Sequence, residues 1–320
     1  MMRLGYPSKQ AGVALITALL ITALVTVAAV AMATRQQLDI RRTGNMLGAD
    51  QAYLYSLAAE QWARQILLED GQKTQRDDLK EDWATVIPPI PVEGGSIQGE
   101  VKDLQARFNL NNLLDANGKP DPVQVRILQN LLNLVDASDN SLHLSPGLAN
   151  VVLDWVDADV NTSPGGAEDV DYLNLTPPYR TGNRLLHSPS ELRAMAGFSP
   201  EAVAALTPLV AALPESGTKV NVNTAPLLVL LSLDQNLTPQ IVQAVMARRE
   251  QTPFDSATDF VDMINNDYQI TIDPKLVDVK SEYFAVKALA NINRSRVELH
   301  SMLMRKNGKV RAIRRGIGVD

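Results

Sequence analysis

Residues 13–34 carry no charged side chain, and this run of 22 residues limits what the rest of the chain can be. Coiled as a helix it rises about 33 Å, enough to cross a hydrocarbon core of roughly 30 Å. Its polar side chains are Thr17, Thr22, Thr26 and Thr34, whose hydroxyls can bond back to carbonyls of their own helix. A single membrane span follows. The competing reading is a cleaved secretory signal, in which Arg3 and Lys9 form the basic start and Ala29-Val30-Ala31 or Ala31-Met32-Ala33 the cleavage site. The run is longer than a usual signal core of about 7–15 residues. The helical pattern also continues beyond it through Leu47, Leu54, Leu57, Ala58, Trp62 and Ile66, with no proline between residues 10 and 86. One helix from residue 13 to about residue 68 is expected, with Gly44 and Gly48 each costing about 1 kcal/mol relative to alanine.

The junction Lys9-Gln10-Ala11-Gly12-Val13, followed by Ala14-Leu15-Ile16-Thr17, resembles the class III signal of type IV pilins and type II secretion pseudopilins. The resemblance implies that a prepilin peptidase cuts after Gly12, so that the mature chain starts at Val13 and keeps its apolar segment. It also supplies an orientation. Arg3 and Lys9 precede the span while Arg35, Arg41 and Arg42 follow it, so charge alone does not orient it. The resemblance puts the leader inside and the bulk in the periplasm, anchored in the inner membrane. One departure is specific: the family usually has Glu at the fifth mature position, and here that residue is Thr17. A buried carboxylate without a cationic partner costs several kcal/mol, so its absence suits a subunit with no neighbouring amine to pair with. The K-type minor pseudopilin, general secretion pathway protein K, typically lacks this Glu.

With 320 residues the chain can bury one or two cores beyond the membrane helix. The net charge of -6 and pI near 5.2 argue against a nucleic-acid partner. Zero cysteines exclude disulfides and thiolate metal sites, and leave a periplasmic location open. After the helix, Pro88-Pro89-Ile90-Pro91 breaks helical structure and residues 96–103 alternate as a strand. Residues 283–290, 297–304 and 310–313 read as three more strands, with Asn307-Gly308 as a hairpin turn. Between the two β regions lies a block of short helices and polar loops. The fold class is α+β: a long N-terminal helix packed on a small antiparallel sheet, with a large all-α domain inserted between strands. The expected divisions are leader 1–12, span 13–34, pilin-like parts 35–107 and 275–320, and insertion 108–274. This organisation, too, resembles the K-type pseudopilin.

Within the insertion, Phe108-Asn109-Leu110-Asn111-Asn112-Leu113 and Val220-Asn221-Val222-Asn223-Thr224-Ala225 share an apolar-Asn-apolar-Asn pattern, with Asn111 or Thr224 as candidate helix caps. The second copy and the residues after it resemble helix-hairpin-helix or SAM-like modules. Phosphate binding by such a module needs a glycine-rich hairpin. The hairpin 233–239 has no glycine and one acid, so compact packing is the expected role.

The densest chemistry lies at residues 154–172. Taking Asp157 as position 1 of an EF-hand loop places Asp159 at 3, Asn161 at 5, Ser163 at 7 and Glu168 at 12, all oxygen-bearing. Thr162 stands where the turn glycine belongs, and Pro164-Gly165-Gly166 argues against a flanking helical EF-hand. The residues leave two readings open, a non-EF calcium loop and a solvated acidic loop. Resemblance to K-type pseudopilins, whose α-domain can bind calcium at a Trp-x-Asp…Gly-Gly-Ala-Glu-Asp loop, implies calcium with Asp157, Asp159, Asn161, Glu168, Asp169 and Asp171 as candidate ligands.

No enzyme is expected. His143, His187 and His300 are scattered, no nucleophile elbow or phosphate loop occurs, and His187 sits beside a helix start at Ser188 or Ser190. The expected function is a minor pseudopilin at the tip of the pseudopilus, initiating and capping it. The implied partners are other minor pseudopilins, the major pseudopilin, prepilin peptidase and the inner-membrane assembly platform. The alternative is a membrane-anchored, calcium-dependent protein-binding module unrelated to secretion.

Overall fold

The computed structural model describes residues 11–318, and a single helix sets its length: α1 spans Ala11–Lys73, about 95 Å at 1.5 Å per residue. Residues 1–10 of the expected leader lie outside the described residues, while Gly12 and Val13 stand in the first turn of α1. The threonines satisfy themselves as expected, which a helix in lipid requires. Thr17 Oγ1 donates to the Val13 and Ala14 carbonyls at 3.0 Å, and Thr22, Thr26 and Thr34 donate to carbonyls four residues back. Among the described residues this is the one helix long and apolar enough to cross a membrane.

From Ala52 onward one face of α1 is buried by Ala52, Ser56, Ala59, Glu60, Ala63 and Leu67. These positions recur at helical spacing, and three are alanines, so the backbone can approach a sheet closely. Gly48 makes the same approach, since a Cβ there would sit 3.0 Å from Ser295 Oγ. Strand β1 (Ile90–Val92) and β2 (Gly95–Asp103) follow. Next come β3 (Phe108–Asn109), α2 (Pro122–Ser138), α3 (Leu148–Val156), α4 (Asp169–Leu173), α5 (Pro200–Leu206) and β4 (Val210–Ala211). A second set comprises β5 (Val220–Asn221), α6 (Leu227–Ser232), α7 (Pro239–Gln251), α8 (Ala257–Tyr268) and β6 (Val277–Asp278). The chain closes with β7 (Tyr283–Ile292), β8 (Ser295–Lys306) and β9 (Lys309–Ile317).

The main sheet is antiparallel with order β1-β2-β7-β8-β9. Ala288 and Ala290 of β7 face Ala59 and Ala52 of α1, small against small. Higher on the helix, Ala63 and Leu67 meet Trp83, Phe284, Val286 and Leu303. The chain leaves β2 and re-enters β7 at adjacent points, since Leu104 N donates to Tyr283 O at 3.0 Å. Most of the apolar residues between form a second cluster running from Phe108 to Val279, while Ala211 and Leu213 pack with Leu104, Tyr283 and Met302 at the sheet.

Both asparagine motifs perform the same task, which sequence reasoning did not foresee. β3 pairs in parallel with β4, and β5 with β6. Asn111 clamps Leu186, accepting from its N–H at 2.8 Å and donating to its carbonyl at 2.9 Å; Asn223 clamps Phe254 at 2.9 and 3.0 Å. The helix-cap expectation for these motifs is corrected. Asn109 caps the 3₁₀ turn Leu110–Leu113 and Asp121 caps α2, while the Thr224 hydroxyl donates to Asp103. Each candidate cap is held by tertiary partners and unavailable to a helix. β1, hidden behind the prolines, is an edge strand whose Pro91 needs no sheet N–H. The Asn307-Gly308 turn is as expected, with both φ values positive (53° and 66°), as a two-residue hairpin of type I′ requires.

Candidate metal centre

α3 ends at Val156 because Asp157 takes an extended conformation, its N–H closing the last turn on Leu153 O at 3.0 Å. The chain then loops outward and returns to start α4, with Glu168 as N-cap. The segment 157–168 therefore separates α3 from the five-residue helix α4, a pair too short on its second side for an EF-hand. The turn is moved, not lost: Gly165 adopts φ +78° and Gly166 N donates to Ser163 O at 2.8 Å.

The loop brings one carboxylate oxygen each of Asp157, Asp159 and Glu168 within 4.8 Å of one another. Asp157 is 5% exposed and Glu168 2%, yet Asp157 Oδ1 and Glu168 Oε1 have no hydrogen-bond partner. Burial pushes Asp157 up to about 6, reinforced by the negative charges of Asp159 and Asp154. Burial likewise raises Glu168. The carboxyl end of α3, the negative pole of its dipole, points the same way. Buried anions converging without a cation are unfavourable, and hard oxygens at this spacing suit a calcium ion. The residues present fit the metal.

Two of the other candidates are engaged elsewhere. Asp169 binds Thr181 N at 3.0 Å, Thr181 Oγ1 at 2.9 Å and Arg180 Nη1 at 2.8 Å, and these contacts lower its pKa, that of Thr181 foremost. Asp171 Oδ2 accepts from Glu168 N at 2.9 Å, closing the capping box of α4. Asn161 is exposed, and its N–H donates to Asp159 Oδ1 at 2.8 Å. Asp154, absent from the candidate set, is fully buried beside the loop, where both its oxygens accept from Ser163 N at 3.2 and 3.0 Å. Its signal was present in the sequence, three residues before Asp157 on the helix that leads into the loop.

A second convergence, Asp70, Asp77 and Glu81, differs in already holding a cation. Arg305 enters from β8, donating to Asp70 Oδ2 at 2.8 Å, to Asp77 and to Ser281 O at 2.9 Å. Asp103 lies alongside and accepts from Asn221 Nδ2 at 3.1 Å, Ser281 Oγ at 2.7 Å and Thr224 Oγ1. This polar junction joins α1, the sheet and the second asparagine motif. Sequence reasoning missed it because its members are spread from residue 70 to residue 305.

The chain matches two family models described as type II secretion system, protein K, over residues 106–215 and 220–273. It is 34% identical to type II secretion system protein K of Aeromonas hydrophila, covering 96% of this chain and 97% of that one. Against the protein of the same name from Pseudomonas aeruginosa it is 35% identical, covering 97% and 93%. The fold is similar to a chain in the crystal structure of the GspK-GspI-GspJ complex from enterotoxigenic Escherichia coli, with TM-score 0.75, 24% identity and coverage of 87% of this chain and 100% of that one. The break between the two family models falls between β4 and β5, where the second asparagine motif begins. By these matches, its pilin-like helix and its sheet, the chain belongs to the type II secretion system protein K family of minor pseudopilins.

Proposed function

We propose that this minor pseudopilin stands at the tip of a periplasmic pseudopilus, where it initiates and caps assembly. The observation that carries the reading is Thr17: its hydroxyl is spent on its own helix, so it presents no charge for a neighbouring subunit's amine. Beyond the charge-free run, exposed Ile40, Leu47 and Leu54 recur every seven residues along one face of α1, which suits lateral packing against sister helices. Residues 108–274, two asparagine-clamped units of which the second resembles a helix-hairpin-helix module, supply the bulk that opposes a further subunit above. The fold neighbour's complex with GspI and GspJ supports other minor pseudopilins as partners. The anchor lies in the inner membrane, the globular part faces the periplasm, prepilin peptidase releases the mature chain, and that chain then meets the major pseudopilin and the assembly platform. Mass spectrometry of the mature protein is expected to find Val13 at the N-terminus; an N-terminus near Thr34 would overturn the reading. Loss of co-purification with the other minor pseudopilins from residue 35 onward would remove its tip assignment.

The acidic loop is proposed to hold calcium through Asp157, Asp159 and Glu168. Its support is the pair of buried carboxylate oxygens without partners. Calcium at about 100 times its Kd is expected to stabilise by about 2.7 kcal/mol, raising the thermal midpoint by roughly 5–10 °C. Chelator should reverse the shift, and its absence at saturating calcium would reject the site.

A further inference from the structure

We infer that Asp154 is the positioning residue of the calcium loop, holding the backbone of residues 163–167 so that Glu168 returns to face Asp157. The inference rests on the reading that this loop takes calcium. Asp154 lies in the last turn of α3 and Asp157 caps its end, yet their carboxylates do different things. Asp157 Oδ1 accepts nothing, whereas both oxygens of Asp154 accept from Ser163 N at 3.2 and 3.0 Å, and the Ala167 N–H also bonds to the group. A carboxylate whose lone pairs are taken by loop N–H groups is placed to shape the loop, leaving the ion to its neighbours.

The contacts around it follow the same logic. Asn150, one turn earlier on α3, donates through Nδ2 to Pro164 O at 2.8 Å, so one helix face grips the loop twice. Gly166 lies directly against Asp154: a Cβ there would overlap Oδ2 and sit 2.7 Å from Cγ. Only glycine allows the chain this close, and the following residues are Ala167, buried, and the ligand Glu168. The Gly-Gly pair thus has two separate tasks, positive φ at Gly165 and close approach at Gly166. Without the Asp154 contacts, Asn150 alone would tie the segment leading to Glu168 to α3.

The test is a calcium titration of the detergent-solubilised full chain by calorimetry, comparing parent, Asp154→Asn and Gly166→Ala. Both variants are expected to bind calcium about 10- to 100-fold more weakly, the range for residues that orient metal ligands. Terbium, bound in place of calcium beside Trp155, gives a readout that a merely structural role would not move. Its luminescence lifetimes in H2O and D2O should report about one additional bound water in each variant, the position vacated by Glu168. A folded Asp154→Asn chain with parent affinity and hydration would overturn the inference. If that variant does not fold, Gly166→Ala decides on the same criterion, because it keeps the carboxylate and displaces only the loop. A parent chain that binds no calcium would instead overturn the metal reading, and the two failures are distinct.

Discussion

Glu60 carries a charge into the contact between α1 and the sheet. Its side chain is fully buried and accepts from Ser301 Oγ at 2.6 Å and from Arg315 Nε and Nη2 at 2.6 and 2.8 Å. Burial alone would raise its pKa, but the Arg315 and Ser301 hydrogen bonds, with the charges of Arg315 and Arg64, hold the carboxyl below its ordinary 4.5. A carboxyl lowered by folding contributes stability that is full above the unfolded value and is lost as pH falls through the folded one. Glu60→Gln is expected to cost about 1–2 kcal/mol at pH 7, toward the low end for a charged hydrogen bond because Arg315 is partly exposed. Denaturant unfolding at pH 7 and at pH 3 checks it. The gap between parent and variant should close on acidification, and a gap that widened would contradict the assignment.

Among the elements, the two asparagine clamps test whether the repeat is structural. Asn111→Ala would leave the Leu186 N–H and carbonyl and the Leu213 carbonyl without this partner; Asn223→Ala would leave both backbone groups of Phe254. Each is expected to cost about 2–4 kcal/mol, since buried unpaired groups cost about 1–3 kcal/mol apiece. Thermal denaturation should show comparable losses for the two, and a neutral Asn223→Ala would separate the motifs. What the sequence disclosed here was the pattern, because apolar-Asn-apolar-Asn is local. What it hid was the target, since Leu186 lies 75 residues from Asn111 and no local rule pairs them. The same division holds elsewhere. α1, β2 and the Asn307-Gly308 hairpin were legible from hydrophobic period and turn chemistry. β1 was not, because an edge position tolerates a proline that elsewhere breaks a strand. At the acidic loop the residue types were legible, but which oxygens are free depends on Thr181 and Arg180, both outside the motif.

For the whole molecule, the decisive contact is Arg305, because it links the last long strand to the end of α1 while Asp103 and Ser281 carry the connection to Asn221 and Thr224. Arg305 is 7% exposed and its cation faces two buried acids, Asp70 and Asp77. Arg305→Met keeps most of the volume and removes the charge, leaving those acids uncompensated, which is expected to cost about 3–5 kcal/mol at neutral pH. The loss should be local before it is global. Hydrogen exchange is expected to accelerate at Asp77, whose N–H bonds Val279 O, and at Ser281, whose N–H bonds Asp77, while the centre of β7 keeps its protection. Acidification then discriminates between lost charge and lost packing. In the parent, burial and the neighbouring Glu81 already push Asp70 up to about 7 against the opposing pull of Arg305, and without the arginine the rise must be larger. An acid whose folded pKa is raised penalises the fold fully above that value, and the penalty fades as pH falls toward the unfolded 3.8. The destabilisation of Arg305→Met relative to the parent should therefore be largest above pH 7 and shrink as pH falls through the parent's value of about 7. A pH-independent loss would mean that the arginine serves here by its volume and its contact over the Phe284 ring, and that the junction is held by packing instead of charge.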